Sequence, residues 1–187
     1  MKEKPIVFST EMVQAILERR KTLTRRVIEP QLDIDRSPYQ RGDILWVKET
    51  WRLIDFSFID DNVSASVQFK DGTTGVRLHY LKHGMNERTG WRSPRYMPRA
   101  AARIFLEVVK DVRVEMLQDI TEEDAKREGI KQQYEADYDY GTNSTLTRTI
   151  TAKMFFWELW DSRYAKHGYG WDANPYVGVT EFERIEK

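Results

Sequence analysis

The sequence predicts an α+β fold built around a small, mainly antiparallel β-barrel with short flanking helices. Many short runs rich in β-branched and aromatic residues indicate strands, a few amphipathic segments with capping residues indicate helices, and no internal repeat or regular strand–helix alternation is visible. A chain of 187 residues with 40% hydrophobic content can bury one core. We therefore expect a single domain over residues 1–187, with insertions at 55–90 and 131–150.

The first elements are a strand, a helix and a second strand. "PIVFS" is typical of a short buried strand, and "STEMVQAILERRK" combines a Ser-Thr cap with an apolar stripe at helical spacing, so we expect a helix that ends near Lys21. "TLTRRVI" then alternates, which predicts a strand with Thr22, Thr24 and Arg26 on one face.

The middle of the chain is dominated by strands. "GDILWVKETWRL" predicts one continuous strand entered through a Gly-Asp turn. Residues 55–90 carry several turn signals and predict a hairpin or an extended insertion. "AARIFLEVVKDVRVEML" predicts one long strand or two consecutive strands.

The last third contains two helices and a final strand. "DITEEDAKREGI" predicts a helix capped by Thr121 and closed by Gly129, and "TAKMFFWELWDSRY" predicts an amphipathic helix. Between them, "QQYEADYDYGTNST" is acidic and aromatic and is interpreted as a mobile loop, whereas "YVGVTEFERI" predicts a strand.

Positive charge is concentrated near the N-terminus. Lysine plus arginine and aspartate plus glutamate each number 30, so attraction to an anionic partner must come from local clustering. The cluster comprises Arg19, Arg20, Lys21, Arg25 and Arg26. A helix dipole favours cations at a helix end, but it does not account for the two arginines beyond that end. The cluster therefore predicts an anion-binding site.

Several classes of protein are not favoured. The chain has no cysteine, which excludes disulfides, thiolate catalysis and cysteine metal sites. Its three histidines include a His-x-x-x-His pair in "HYLKHG", which lacks the acidic partner of a zinc hydrolase motif, so we expect neither metal nor cofactor. The first residues contain no long apolar run. We expect a cytoplasmic monomer without a membrane segment.

Six sequence blocks together resemble a known family. In order they are "RRKTLTRR", "GDILWVKETW", "WRSPRYMPRAAARI", "LQDITEEDAKREGI", "LWDS" and "YGWDANPYVGVTEFE". This series is similar to ASCH-domain proteins of the PUA-like superfamily, in the longer form found among phage and prophage proteins. The resemblance runs from Phe8 to Glu183 and leaves out residues 55–88 and 131–150. It implies a PUA-like β-barrel whose helices close a cleft that binds RNA or a nucleoside.

Some small bacterial members of this family are amidohydrolases that deacylate N(4)-acetylcytidine. Their "GRKTxTxR" motif is matched by Arg20, Lys21, Thr22, Thr24 and Arg26, with Arg19 in place of the glycine. Their helical glutamate, preceded three residues earlier by alanine, resembles Glu128 preceded by Ala125. The resemblance thus implies catalytic roles for Lys21, Thr24 and Glu128.

Amide hydrolysis without a metal requires a nucleophile, a base and an acid. Thr24 offers a hydroxyl, Lys21 can accept its proton if the lysine pKa is lowered, and Glu128 can protonate the leaving amine if the glutamate pKa is raised. Neighbouring arginines favour the first shift and the end of a helix favours the second. Contact between Glu128 and a cation would oppose the second shift, so the sequence leaves its sign open.

Further candidates come from aromatic and basic residues elsewhere. Trp51 and Trp91 could stack on a base, although a tryptophan in a strand more often belongs to a core. Arg99 and Arg103 in "MPRAAAR" could contact phosphate or carry surface charge. Packing roles are assigned to Trp46, Trp157 and Trp160.

Three functions remain open from the sequence. The first is binding of RNA or a modified nucleoside in a cleft lined by Arg20, Lys21, Thr24 and Arg26, with Trp51 as a further candidate. Arg25 is also expected to bind the ligand. The second is a metal-independent amidohydrolase acting on N(4)-acetylcytidine-like nucleosides. The third is a metal-independent ribonuclease, with Lys21 and Arg26 stabilising the phosphorane. A host-interaction role would use the acidic aromatic segment 134–140 as its surface.

Overall fold

A computed structural model describes residues 2–31, 37–59, 62–81, 90–130, 134–139 and 145–186. Within these ranges the chain is α+β and consists mostly of strands, with mainly antiparallel pairing, as the sequence predicts. The strands are β1 (Glu3–Val7), β2 (Leu23–Val27), β3 (Ile44–Lys48), β4 (Trp51–Ile59), β5 (Asn62–Phe69), β6 (Thr74–Leu81), β7 (Phe105–Val108), β8 (Arg113–Met116), β9 (Tyr134–Asp139), β10 (Thr145–Ile150) and β11 (Tyr176–Ile185). The α-helices are α1 (Thr10–Leu17), α2 (Glu122–Arg127) and α3 (Ala152–Tyr164).

The chain forms two compact units. The first unit contains Met1–Gln14, Gly42–Val108 and Glu183–Lys187, and the second contains Ala15–Arg41 and Val109–Phe182. No helix among the described residues is long and apolar enough to cross a membrane.

Two sets of strands build the first unit. β1 pairs in parallel with β3, which pairs antiparallel with β7. β4, β5 and β6 form a separate three-stranded antiparallel sheet, so part of the segment predicted as a hairpin or insertion is a meander. Alternate side chains of β5 are buried, and they pack in a core with residues of β4 and β7 and with Met97.

The predicted single strand "GDILWVKETWRL" is divided into β3 and β4, and that prediction was wrong. The break falls at Glu49 and Thr50. There the Glu49 backbone N–H donates to the sulfur of Met97 at 3.3 Å instead of joining a ladder. The Glu49 carboxylate is also held by Arg103 at 2.8 Å, so both the backbone and the side chain of Glu49 make contacts outside the strand ladder.

In the second unit, β11 lies between β2 and β8 and is antiparallel to both. Thr24 is opposite Thr180, and Arg26 is opposite Gly178. One face of these strands packs with α2 and α3 around Leu23, Val179 and Phe156. This packing fixes the position of β2, the strand that carries the predicted site residues Thr24, Arg25 and Arg26.

The predicted end of α1 was wrong, whereas the predicted ends of α2 agree with the structure. α1 ends at Leu17, four residues before the predicted end, and Arg19 adopts a left-handed conformation with φ of 59°. α2 agrees with prediction, because the Thr121 hydroxyl accepts from the Asp124 N–H at 3.1 Å and Gly129 is left-handed with φ of 94°.

The segment interpreted as a mobile loop contains a strand. Tyr134–Asp139 forms β9, which pairs antiparallel with β10, so the loop prediction was wrong for these residues. β9 contains two tyrosines and β10 has threonines at alternate positions, and such residues favour a ladder once a partner strand is adjacent. Residues 131–133 and 140–144 lie outside the described part of the chain.

Candidate functional site

The left-handed Arg19 turns the chain so that Lys21 lies beside the end of α2. The Ala15 carbonyl accepts from the N–H groups of both Arg20, at 2.9 Å, and Lys21, at 3.0 Å. The backbone of Lys21 then forms an antiparallel bridge with Glu128. Two residues 107 positions apart are thereby placed side by side.

Lys21 and Glu128 form a buried ion pair. The Lys21 ammonium donates to Glu128 Oε2 at 2.5 Å, to the Glu128 carbonyl at 2.9 Å and to the Leu23 carbonyl at 3.0 Å. The exposed fractions of the two side chains are 0% and 3%. These three acceptors match the three protons of a lysine ammonium.

The close approach of Lys21 to α2 requires glycine at position 129. A Cβ atom on Gly129 would lie 2.7 Å from the Ala15 Cβ and 3.0 Å from the Lys21 Cβ. The positive φ also disfavours any other residue there. Gly129 therefore ends the helix and makes room for the lysine.

Burial is the main influence on the ammonium of Lys21. Loss of solvent lowers the pKa of Lys21, the Glu128 carboxylate opposes this effect, and the charges of Arg26 and Arg163 lower the pKa further. The net direction is downward, which favours an amine able to accept a proton.

Glu128 and Thr24 belong to the same arrangement. Glu128 Oε1 accepts from the backbone N–H of Arg25 at 2.7 Å, which joins the carboxylate to β2 immediately after Thr24. Thr24 is buried, as are Lys21 and Glu128. The structure thus brings Lys21 and Glu128 into contact and places Thr24 on β2 next to Arg25, whose N–H binds the Glu128 carboxylate.

Arg25, predicted to bind the ligand, instead has a fully buried side chain held by carboxylates. Its Nη2 lies 2.6 Å from Glu115 and 2.7 Å from Asp124, and its Nη1 lies 3.5 Å from Glu128. This Nη1 has no hydrogen-bond partner. In this arrangement Arg25 presents no surface to a ligand and acts as a structural cation.

Arg20 and Arg26 occupy less buried positions. Arg20 pairs with Glu18 at 2.5 Å and donates to the Gly129 carbonyl. Arg26 is half-buried and lines a cavity of about 540 Å³. The cavity is lined by Arg26, Val27, Ile28, Glu29, Ser37, Pro38, Tyr39, Gly178 and Thr180.

The cavity lies on the face of β2 that carries Thr24. Side chains alternate along a strand, so Thr24 and Arg26 share a face, and their partners Thr180 and Gly178 lie opposite them on that face. Burial raises the pKa of the Tyr39 hydroxyl, and the charge of Arg26 opposes that shift. Arg26, Tyr39 and Thr180 give the cavity a cation and two hydroxyls.

Sequence reasoning missed Tyr39 and Thr180. Only the tertiary structure shows that both residues line the cavity. The strands β2 and β11, which pair there, are separated by about 150 residues in the sequence. Their only local signals were a tyrosine after Pro38 and a threonine in a predicted strand.

Glu181 was missed too. This buried carboxylate contacts Lys110 at 2.9 Å, Arg113 at 2.7 Å and Arg127 at 2.7 Å. Burial alone would raise its pKa, but hydrogen bonds from Arg127 and Lys110 outweigh that effect and lower the pKa of Glu181 to about 2. Glu181 thus connects β11 to α2 through its ion pair with Arg127.

The remaining predicted binding residues belong to the first unit. Trp51 is 2% exposed and lies in the core, with the Arg92 guanidinium 5.0 Å from its ring. Arg99 pairs with Glu3 at 2.7 Å. Arg103 pairs with Glu49 and Asp71, each at 2.8 Å.

Of the tryptophans assigned to packing, Trp160 is buried and Trp46 packs against the core of the first unit. Trp157 differs, since it is exposed and stacks on Trp171 with ring centroids 5.9 Å apart.

No cluster of three or more histidine, aspartate or glutamate side chains suited to a metal ion occurs in the described ranges. Comparison of the chain with protein-family models, curated proteins and solved structures found no match. Membership of the ASCH family remains a prediction from the sequence blocks.

Proposed function

We propose that the protein binds a nucleoside, free or within RNA, in the cavity lined by Arg26, Tyr39 and Thr180, and that its strands belong to a PUA-like barrel of the ASCH type. The observation that carries this proposal is the cavity itself, whose volume of about 540 Å³ is within the range of small-molecule sites. It adjoins the part of β2 that matches the family motif.

The lining suits a polar heterocycle attached to a sugar. The Arg26 guanidinium can donate to a base carbonyl or a phosphate, and the Tyr39 and Thr180 hydroxyls can donate or accept. Gly178, which is opposite Arg26 in the strand pairing, also lines the cavity.

Calorimetric titration with cytidine and N(4)-acetylcytidine tests this proposal. Arg26→Gln and Tyr39→Phe are expected to weaken binding by about 5- to 100-fold each, which corresponds to the loss of one or two hydrogen bonds. Arg19→Gln is the matched control, because Arg19 lies in the same basic cluster but does not line the cavity. Equal affinity of Arg26→Gln and the unaltered protein would refute the proposed site.

RNA requires its own measurement. If the cavity accepts a nucleotide within a chain, affinity for single-stranded RNA should fall steeply with added salt because bound phosphates release counterions. Affinity that is insensitive to salt would restrict the ligand to a free nucleoside.

A second candidate is an amidohydrolase acting on N(4)-acetylcytidine-like nucleosides. The contact between Lys21 and Glu128 favours it, since burial lowers the pKa of Lys21 and a carboxyl group lies 2.5 Å from its nitrogen, within reach for proton transfer. Thr24 Oγ would attack the acyl carbon while its proton passes to Lys21. Glu128 would then protonate the departing cytidine nitrogen, and water would release acetate from the threonine ester.

Acetate release from N(4)-acetylcytidine tests the second candidate. Thr24→Val and Glu128→Gln are expected to abolish release, whereas Arg19→Gln should leave it unchanged. Circular dichroism of each variant checks folding. Full activity in either altered protein would refute the assigned roles, and nucleoside binding without acetate release in the unaltered protein would leave the binding function alone.

A further inference from the structure

The three-stranded sheet of the first unit has one buried face and one mainly polar face, which is partly exposed on β4 and β5 and exposed on β6. Burial alternates along β5, where Val63, Ala65, Val67 and Phe69 point into the core. The intervening positions therefore point outwards. With their neighbours on β4 and β6, they form a surface that includes Arg52, Ile54, Ser64, Ser66, Gln68, Arg77 and His79, here called the outer sheet face.

The cations on the outer sheet face are oriented by neutral side chains. Arg52 Nε donates to the Gln68 amide oxygen at 2.7 Å. Arg77 donates to the hydroxyls of Ser64 at 2.9 Å and Ser66 at 3.4 Å. These bonds position the guanidinium groups without neutralising their charge.

Other arginines of the first unit differ. Arg99 contacts the carboxylate of Glu3, and Arg103 contacts the carboxylates of Glu49 and Asp71. Among the described residues, Arg52 and Arg77 are in no ion pair. Their charge thus remains available to an anionic partner.

An exposed aromatic ring lies beside these cations. Trp91 is 39% exposed, and its ring centroid lies 4.6 Å from the Arg52 guanidinium and 4.2 Å from the Lys70 ammonium. The backbone of the next residue, Arg92, is bridged to Trp51 of β4 by two hydrogen bonds of 2.7 and 3.3 Å. Trp91 is therefore fixed at the edge of the sheet with two cations over its ring.

We propose that the outer sheet face with Trp91 binds single-stranded nucleic acid. Arg52 and Lys70, which lie over the Trp91 ring in this structure, move from it to contact phosphates. Arg77 contacts a further phosphate, and Trp91 stacks on one base. Exposed rings among cations are the combination used to bind unpaired strands, since every base has a stacking face and every linkage carries one negative charge. In a duplex the bases are stacked on one another in the interior, so no base would be available to stack on Trp91. This site lies in the first unit and does not depend on the cavity of the second.

Fluorescence anisotropy with a labelled 12-nucleotide oligouridylate tests the proposal on the full chain. Trp91→Ala is expected to weaken binding by about 5- to 100-fold, the usual loss when a base-stacking ring is removed. Trp91→Phe should retain most of the affinity, which separates stacking from folding. Trp157→Ala is the matched control, because Trp157 is 42% exposed and lies in the second unit.

The salt dependence provides a separate readout. Each phosphate contact to a single strand contributes about 0.7 to the slope of log affinity against log salt, so Arg52→Gln with Arg77→Gln should reduce that slope by about 1.4. Arg99→Gln, which removes an arginine paired with a carboxylate, should leave the slope unchanged. Oligothymidylate of equal length is expected to bind as well, since the contacts use phosphates and bases.

Specific outcomes would overturn the proposal. They are unchanged affinity in Trp91→Ala, an equal loss in Trp157→Ala, preference for duplex over single strand, or displacement of the oligonucleotide by polyglutamate with no effect of Trp91→Ala. The last result would identify an acidic protein partner. Because Trp91→Ala should leave N(4)-acetylcytidine binding unaltered, failure of this surface can be distinguished from failure of the cavity.

Discussion

Replacement of Lys21 by methionine tests whether the buried ion pair holds the second unit together. Methionine has a comparable length and flexibility but no charge, so Glu128 would keep a buried carboxylate without its 2.5 Å partner. Glu128 Oε1 would still accept from the Arg25 N–H at 2.7 Å, which compensates only in part. Removing one member of a buried pair costs about 3–5 kcal/mol, and both side chains here are at most 3% exposed.

Urea denaturation measures this cost. We expect the free energy of unfolding of Lys21→Met to fall by about 3–5 kcal/mol, with a loss of roughly 6–20 °C in Tm for a protein of this size. The double variant Lys21→Met with Glu128→Leu removes both charges and should recover most of the loss. Arg19→Met is the control, since its exposed side chain should change stability by less than about 0.5 kcal/mol. A single-variant cost below 1 kcal/mol, or a double variant no more stable than Lys21→Met, would refute the reasoning.

Three other predictions follow from the second unit. The folded-state pKa of Glu181 is about 2 and its ordinary value is 4.5, so the stabilisation from this carboxylate is present above pH 4.5 and is lost as pH falls towards 2. The free energy of unfolding should therefore be about 3 kcal/mol higher at pH 6 than at pH 2 through this group, and Glu181→Gln should lack that difference. Gly129→Ala should lower the free energy of unfolding by at least about 2 kcal/mol in urea denaturation, because φ is positive there and the new Cβ would lie 2.7 Å from the Ala15 Cβ. Gly90→Ala is the control and should be nearly neutral, since a Cβ at that position would have no neighbour within 4 Å. Ultraviolet titration can follow Tyr39 if the titration curve of Tyr39→Phe is subtracted from that of the unaltered protein. The pKa of Tyr39 should lie above 10 and should rise further in Arg26→Gln, because the opposing cation is lost. An unchanged pKa in Arg26→Gln would contradict the assigned interaction between Arg26 and Tyr39.

Local patterns predicted much of the secondary structure. The capping threonine and closing glycine of α2 were read correctly because they act within one helical turn. The single strand through "GDILWVKETWRL" was wrong because its break depends on Met97 and Arg103, about 50 residues away. The loop assigned before α3 was wrong at β9 because a ladder requires a partner strand that composition does not reveal.

The basic cluster shows the same division between local and long-range information. The sequence proposed Lys21, Thr24 and Glu128 through motif resemblance, and the fold brings Lys21 and Glu128 together through a bridge that spans 107 residues. Alternation in "TLTRRVI" placed Arg26 on the face of Thr24 and so separated it from Arg25, but the sequence could not show which of the two cations meets carboxylates. Alternation along β2 sends Arg25 inwards to three carboxylates and leaves Arg26 at the cavity wall.

The sequence by itself determined the strand-rich α+β class, the caps of α2 and the position of the positive charge, because periodicity, turn chemistry and charge are properties of neighbouring residues. Only the tertiary structure decided which cations are neutralised, since ion pairing depends on carboxylates brought from distant segments. It paired Arg25, Arg99 and Arg103 with such carboxylates, and it gave Arg52 and Arg77 neutral partners.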